Sequence, residues 1–175
     1  MKEMKLSREK IIEYSNKYDS IFRATDDEKY EKELKNWFLS NKYLDKRHFV
    51  ILGLWKSKRP KKHYENNDDE FIREITSFAL STKNERASIG SLLLIKGASW
   101  PVASVILHFA YPNKYPILDF RAIWSLGWQQ PKSYDFGFWE KYTEELRKLS
   151  EKYQVSLRTL DKALWYYSKE NQKKS

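Results

Sequence analysis

Apolar residues recur at spacings of three and four along almost the whole chain, and this periodicity constrains the fold more than any other feature. It is the pattern of helices that each bury one face. Gly and Pro number only five each among 175 residues, so few positions can interrupt a helix. We therefore predict an all-α fold and, from the length, a single compact helical domain over residues 1–175. We expect the polar tail, about residues 169–175, to be frayed.

Several protein classes are excluded at this stage. The chain has no run of eighteen apolar residues, and its first ten residues, MKEMKLSREK, lack the apolar core of a signal peptide, so we expect no membrane partner and a cytoplasmic location. It has no cysteine, which rules out disulfides, thiolate zinc sites and cysteine nucleophiles. The three histidines, His48, His63 and His108, form no metal-ligand pattern. We expect neither a metal nor a cofactor.

The charge is strongly basic and unevenly distributed. The formal net charge is +9, and five of the nine residues in the segment Lys56–Tyr64, KSKRPKKHY, are Lys or Arg. Such a segment suits a polyanionic partner. A lysine-rich surface that only keeps the protein soluble would account for the same charge, so the charge alone does not choose between them.

One stretch, Leu92–Phe120, combines an apolar segment, a small-residue corner, a second apolar segment and a Pro-bounded loop, in the sequence LLLIKGASWPVASVILHFAYPNKYPILDF. Over about residues 85–111 it resembles the helix-hairpin-helix motif, which binds a DNA phosphate at the N-terminus of its second helix without reading a base. The corner is formed by Ile95, Lys96, Gly97, Ala98, Ser99 and Trp100. An ordinary helix pair with a tight turn would give a similar pattern.

The next segment, YPILDFRAIWSLG, resembles the loop that carries the catalytic aspartate in the helix-hairpin-helix superfamily of DNA glycosylases. The loop covers about residues 112–121, and Asp119 follows Gly97 by 22 residues. The resemblance implies an enzyme that hydrolyses the N-glycosidic bond of a flipped-out damaged or modified base and leaves an abasic site. Asp119 would be its catalytic carboxylate. Asp119 is also a suitable N-cap for the following helix, and the two roles are compatible.

The sequence departs from the superfamily pattern at the corner. Ser99 stands where the motif usually has its second glycine, and Pro101 stands where bifunctional members carry a nucleophilic lysine. Because proline has no side-chain amine, the likeness is to the monofunctional members. The cysteine cluster of some relatives is absent as well.

Further candidates follow from the same resemblance. Arg121 would bind a DNA phosphate or steady the carboxylate, and a base pocket or its rim would use Trp55, Lys56, Arg59 and Trp124. Each of these is equally suited to an ordinary core or surface role. The implied partner is double-stranded DNA with a damaged or modified base, bound by a monomer. Two alternatives stay open: a non-enzymatic helix-hairpin-helix DNA-binding module, and a helical scaffold that binds an acidic protein.

Overall fold

The computed structural model describes residues 4–172, and within them it contains ten α-helices and no strand. The predicted all-α class is confirmed. The helices are α1 (Arg8–Phe22), α2 (Asp26–Ser40), α3 (Lys46–Lys56), α4 (Lys61–Glu65), α5 (Asp69–Ser81), α6 (Glu85–Leu92), α7 (Trp100–Ala110), α8 (Phe120–Ser125), α9 (Phe136–Tyr153) and α10 (Leu157–Asn171).

Most of these helices begin at a side chain that caps the first turn. Such a side chain accepts a hydrogen bond from a backbone N–H that has no partner inside the helix. Only α4 and α7, among the helices of residues 4–172, lack one. The caps are Ser7, Thr25, Asp45, Asp68, Asn84, Asp119, Asp135 and Ser156.

The chain divides into two compact units. The terminal unit combines the residues up to Arg23 with those from Pro112 onward, and the central unit is Ala24–Tyr111. The terminal unit therefore contains α1 and α8–α10, and the central unit contains α2–α7. The expectation of a single domain stays a prediction.

In the terminal unit, α10 packs against α1, α8 and α9. The largest side chains buried there are Trp139 and Tyr142 of α9. The end of α8 is tied down by Ser125, whose hydroxyl donates to the carbonyl of Leu164 at 2.5 Å. The short α8, which begins directly after Asp119, is thus fixed on the long α10.

In the central unit, α7 is the most deeply buried element. Every residue from Val102 to Ala110 is buried, and α7 packs against α2, α3 and α6. Its burial includes His108, which is 2% exposed. A helix enclosed in this way cannot shift easily, so the position of its N-terminus is set by the core of the unit.

The basic segment contains the short helix α4, which has too few residues to show periodicity, and α10 continues through Asn171. The frayed tail over about residues 169–175 stays a prediction. Residues 173–175 of that tail lie outside the described residues. Within residues 4–172, no helix is long and apolar enough to cross a membrane.

Candidate active site

Helices α6 and α7 and the turn between them lie where the sequence places the hairpin. In the corner, the N–H of Ile95 donates to the carbonyl of Leu92 at 3.2 Å, and the N–H of Ala98 donates to the carbonyl of Ile95 at 3.0 Å. Gly97 has a φ of +87°, in the left-handed region that glycine adopts without steric cost. The corner therefore needs a glycine at this position.

The N-terminus of α7 carries backbone donors with no partner in the described part of the chain. Ser99 occupies the cap position but makes no side-chain cap bond, and Pro101 has no N–H. Within residues 4–172, no hydrogen bond from the backbone N–H of Gly97, Ser99, Trp100 or Val102 is found. This end of α7 has the donor arrangement that binds an anion.

The backbone of Lys96, in contrast, is fully occupied. Its N–H donates to Asn67 Oδ1 at 2.9 Å, and its carbonyl accepts from Asn67 Nδ2 at 3.0 Å. The same amide nitrogen lies within hydrogen-bond distance of the carbonyls of His63 and Tyr64. Asn67 therefore joins the end of α4 to the corner. The next residue, Asp68, caps α5.

Tyr64 fills the space beneath the corner. Its fully buried ring lies between two glycines: an added Cβ would be 2.6 Å from the ring at Gly53 and 2.7 Å from it at Gly97. Burial raises the pKa of the Tyr64 phenol, and the hydroxyl has no hydrogen-bond partner in residues 4–172. Both glycines are thus required for the close approach of the ring.

Replacing Asn67 by alanine is expected to loosen the corner. The change removes both bonds to the Lys96 backbone and leaves its part-buried N–H and C=O without these partners. The cost is at most about 1–3 kcal/mol for each group, the value for fully buried groups. Chemical denaturation should show this loss, and amide hydrogen exchange should show faster exchange at Lys96. The matched control is Asn66→Ala, because Asn66 is exposed. Equal stability and equal Lys96 protection in the two variants would contradict the role given to Asn67.

The loop before Asp119 is anchored to α9. The hydroxyl of Tyr142 donates to the carbonyl of Ile117 at 2.9 Å, and Arg147 Nε donates to the carbonyl of Lys114 at 2.7 Å. The last four residues before Asp119 are all buried. The loop is therefore held by two hydrogen bonds from α9, a buried one at Ile117 and an exposed one at Lys114.

Asp119 caps α8. Its Oδ1 accepts from the backbone N–H of Arg121 at 2.8 Å, and the residue is 9% exposed. The capping role considered from the sequence is confirmed. The cap bond fixes the position of the carboxylate at the start of α8.

The charge of Asp119 is felt by two tyrosines of the same unit. The pKa of Tyr134 is raised, first by burial and then by the charge of Asp119. The pKa of Tyr142 is raised well above its usual range by burial, with further contributions from Asp161 and Asp119. Both phenols therefore stay protonated at neutral pH.

The other predicted site residues fall into both units. Trp55 packs edge-to-face on Phe109 with ring centroids 5.4 Å apart, Lys56 ends α3, and Arg59 is exposed; all three belong to the central unit. In the terminal unit, the rings of Trp124 and Tyr167 are 6.1 Å apart. The proposed pocket residues are thus divided between the units.

The side chain of Arg121 packs on aromatic rings, and its contact with a DNA phosphate stays a prediction. Its guanidinium lies over two aromatic rings, at 5.2 Å from the centroids of Phe120 and Trp165. Trp165 was not singled out by sequence reasoning, because nothing local relates it to a residue 44 positions earlier.

Within residues 4–172, no three acidic or histidine side chains are grouped closely enough to hold a metal ion.

Comparison with known proteins bears on this geometry. The structure is similar to the crystal structure of Methanocaldococcus jannaschii 8-oxoguanine glycosylase/lyase in complex with a 15mer DNA containing 8-oxoguanine, with a TM-score of 0.50 and 19% sequence identity. The match covers 94% of this chain and 91% of that chain. The chain has the fold of a DNA glycosylase. The resemblance seen over Leu92–Gly127 is confirmed, at the level of the fold, over nearly the whole chain.

Sequence comparisons give no further support for the assignment of the fold. No family model and no curated protein matches the chain. The assignment of the fold therefore rests on structural similarity together with the residues of the hairpin and the Asp119 loop.

Proposed function

We propose that the protein is a monofunctional DNA N-glycosylase that removes a damaged or modified base from double-stranded DNA and so serves DNA repair. The observation that carries this proposal is Asp119. Its nearly buried carboxylate is held at the start of α8. The loop that carries it follows the hairpin, whose second helix, α7, has no side-chain cap, and the chain has a glycosylase fold.

The chemistry requires one carboxylate. As the bond between C1′ and the base nitrogen breaks, positive charge develops on the deoxyribose, and a fixed negative charge beside C1′ stabilises this state. Asp119 supplies that charge and accepts a proton from the water whose oxygen bonds to C1′. The released base takes up a proton from solvent. The raised pKa values of Tyr134 and Tyr142 leave both phenols neutral, so neither competes with Asp119 as the base.

The hairpin corner supplies binding without base recognition. The backbone N–H groups of Gly97, Ser99, Trp100 and Val102 suit a phosphate of the DNA backbone. The exposed side chain of Lys96 adds a positive charge at the same corner. Phosphate contacts of this kind offset the cost of a few kcal/mol for extruding the base.

Pro101 is the basis for the monofunctional assignment. It occupies the second position of α7 and offers no amine for a Schiff base, whereas the similar solved structure is described as a glycosylase/lyase. The product is then an intact abasic site.

Product analysis tests this proposal. Duplexes that each carry one oxidised, alkylated, deaminated, mismatched or bulky base are incubated with the protein. We expect abasic sites from at least one duplex, strand cleavage only after hot alkali, and no covalent adduct after borohydride treatment. A trapped adduct would show that another amine attacks, with Lys96 the nearest candidate. The absence of base release from every duplex would favour the non-enzymatic alternative, in which Asp119 serves only as a cap.

A further inference from the structure

Two cations of the terminal unit converge on one indole ring. The guanidinium of Arg121 lies 5.2 Å from the centroid of Trp165, and the ammonium of Lys169 lies 5.9 Å from it. The rings of Tyr18 and Phe22 pack on it in T-shaped arrangements, with centroids 5.2 and 5.5 Å away. Trp165 is thus a fixed, half-buried platform for two positive charges.

Neither cation is neutralised by the acidic residues of the same surface. Those residues are already paired with other cations: Glu13 and Glu170 with Lys17, Asp19 with Lys162, and Asp161 with Arg158. Within residues 4–172, no carboxylate lies within ion-pair distance of Arg121 or Lys169. The surface around Trp165 therefore keeps two unpaired positive charges.

This arrangement suits a phosphate group. Two positive charges beside one ring, with no carboxylate at ion-pair distance, attract an anion. The planar guanidinium can donate two parallel hydrogen bonds to phosphate oxygens, and the ammonium adds a point charge. The adjacent ring of Phe120, which is 52% exposed, gives the arginine a second aromatic contact.

We propose that Arg121, Trp165 and Lys169 form a second contact for the DNA backbone, on the terminal unit and distinct from the hairpin corner of the central unit. The choice of DNA as the source of the phosphate rests on the proposed function. The backbone N–H of Arg121 holds the carboxylate of Asp119, so a phosphate bound by the arginine side chain lies on the strand next to the reacting sugar. Trp165 is a positioning residue that orients the two cations.

The test compares Arg121→Gln and Lys169→Gln with Lys148→Gln. Lys148 is an exposed lysine of α9 in the same unit, so its variant has the same loss of charge as Lys169→Gln. Affinity for an unmodified duplex is measured over a range of salt concentrations. The log–log slope should become shallower by about 0.9 for each lost phosphate contact. Arg121→Lys, which keeps the charge, should retain most of the slope.

The outcomes separate this inference from the proposed function. Slopes for Arg121→Gln and Lys169→Gln equal to that of Lys148→Gln would overturn the inference, even if the unmodified protein excises a base. Shallower slopes in the first two variants, with no base release by the unmodified protein, would support the contact and count against the enzyme. Thermal unfolding of each variant verifies that a changed slope does not come from a loss of fold.

Discussion

Asp119→Asn is expected to lower single-turnover base release by about two to four orders of magnitude, the range for loss of one electrostatic or general-base group. The amide keeps an oxygen that can accept the N–H of Arg121, and Asn and Asp are nearly equal as N-caps. The free energy of unfolding should therefore change little. Affinity for the modified duplex should stay the same or rise, since the repulsion between a carboxylate and phosphate is removed. Single-turnover excision and duplex binding at one salt concentration measure both effects.

Asp135→Asn is the matched control for this experiment. Asp135 caps α9 by accepting the N–H of Phe138 at 2.8 Å, it belongs to the same unit, and it is exposed. The variant makes the same chemical change at a second helix start, so it should excise the base at the rate of the unmodified protein. If Asp119→Asn also excises at that rate, Asp119 is a cap alone and another group of the protein performs the catalysis.

Gly97→Ala is expected to be the most destabilising of the simple glycine substitutions. A φ of +87° costs roughly 1–2 kcal/mol in a residue with a Cβ. The new Cβ would also lie 2.7 Å from the ring of Tyr64 and 3.1 Å from Cβ of His63, and overpacking of this kind costs typically about 1–3 kcal/mol. Chemical denaturation should thus show a loss of about 2–5 kcal/mol, the sum of these two effects.

Gly90→Ala, in the same hairpin, is expected to change the free energy of unfolding in the opposite direction. Gly90 lies within α6, and an added Cβ would meet nothing within 4 Å. Alanine there should stabilise the protein by about 0.5–1 kcal/mol. Equal stability of the two alanine variants would mean that Tyr64 does not fill the space beneath the corner. Because Gly97 variants lose stability, weaker DNA binding by them would not identify a DNA contact.

The local features of this chain were predictable from its sequence, and the long-range ones were not. The position of Asp119 at the start of α8 follows from residues within one turn of it. The bonds between Asn67 and Lys96 join residues 29 apart, and an asparagine beside a stronger cap gives no sign of such a partner. Helical periodicity likewise marks Trp165 as apolar but does not name the cations that lie over it.

The packing of Tyr64 between two glycines has a consequence for the thermodynamics of association. The inner side of α4 carries this ring, while its outer side presents Lys61, Lys62 and His63, all exposed. Since Tyr64 and Asn67 fasten α4 to the hairpin corner, the basic side chains and the unpaired N–H groups of α7 share one rigid frame. The backbone entropy of arranging them is lost during folding. Under the proposed function, DNA would therefore bind a preorganised surface, and less of the interaction energy would be consumed in ordering the protein.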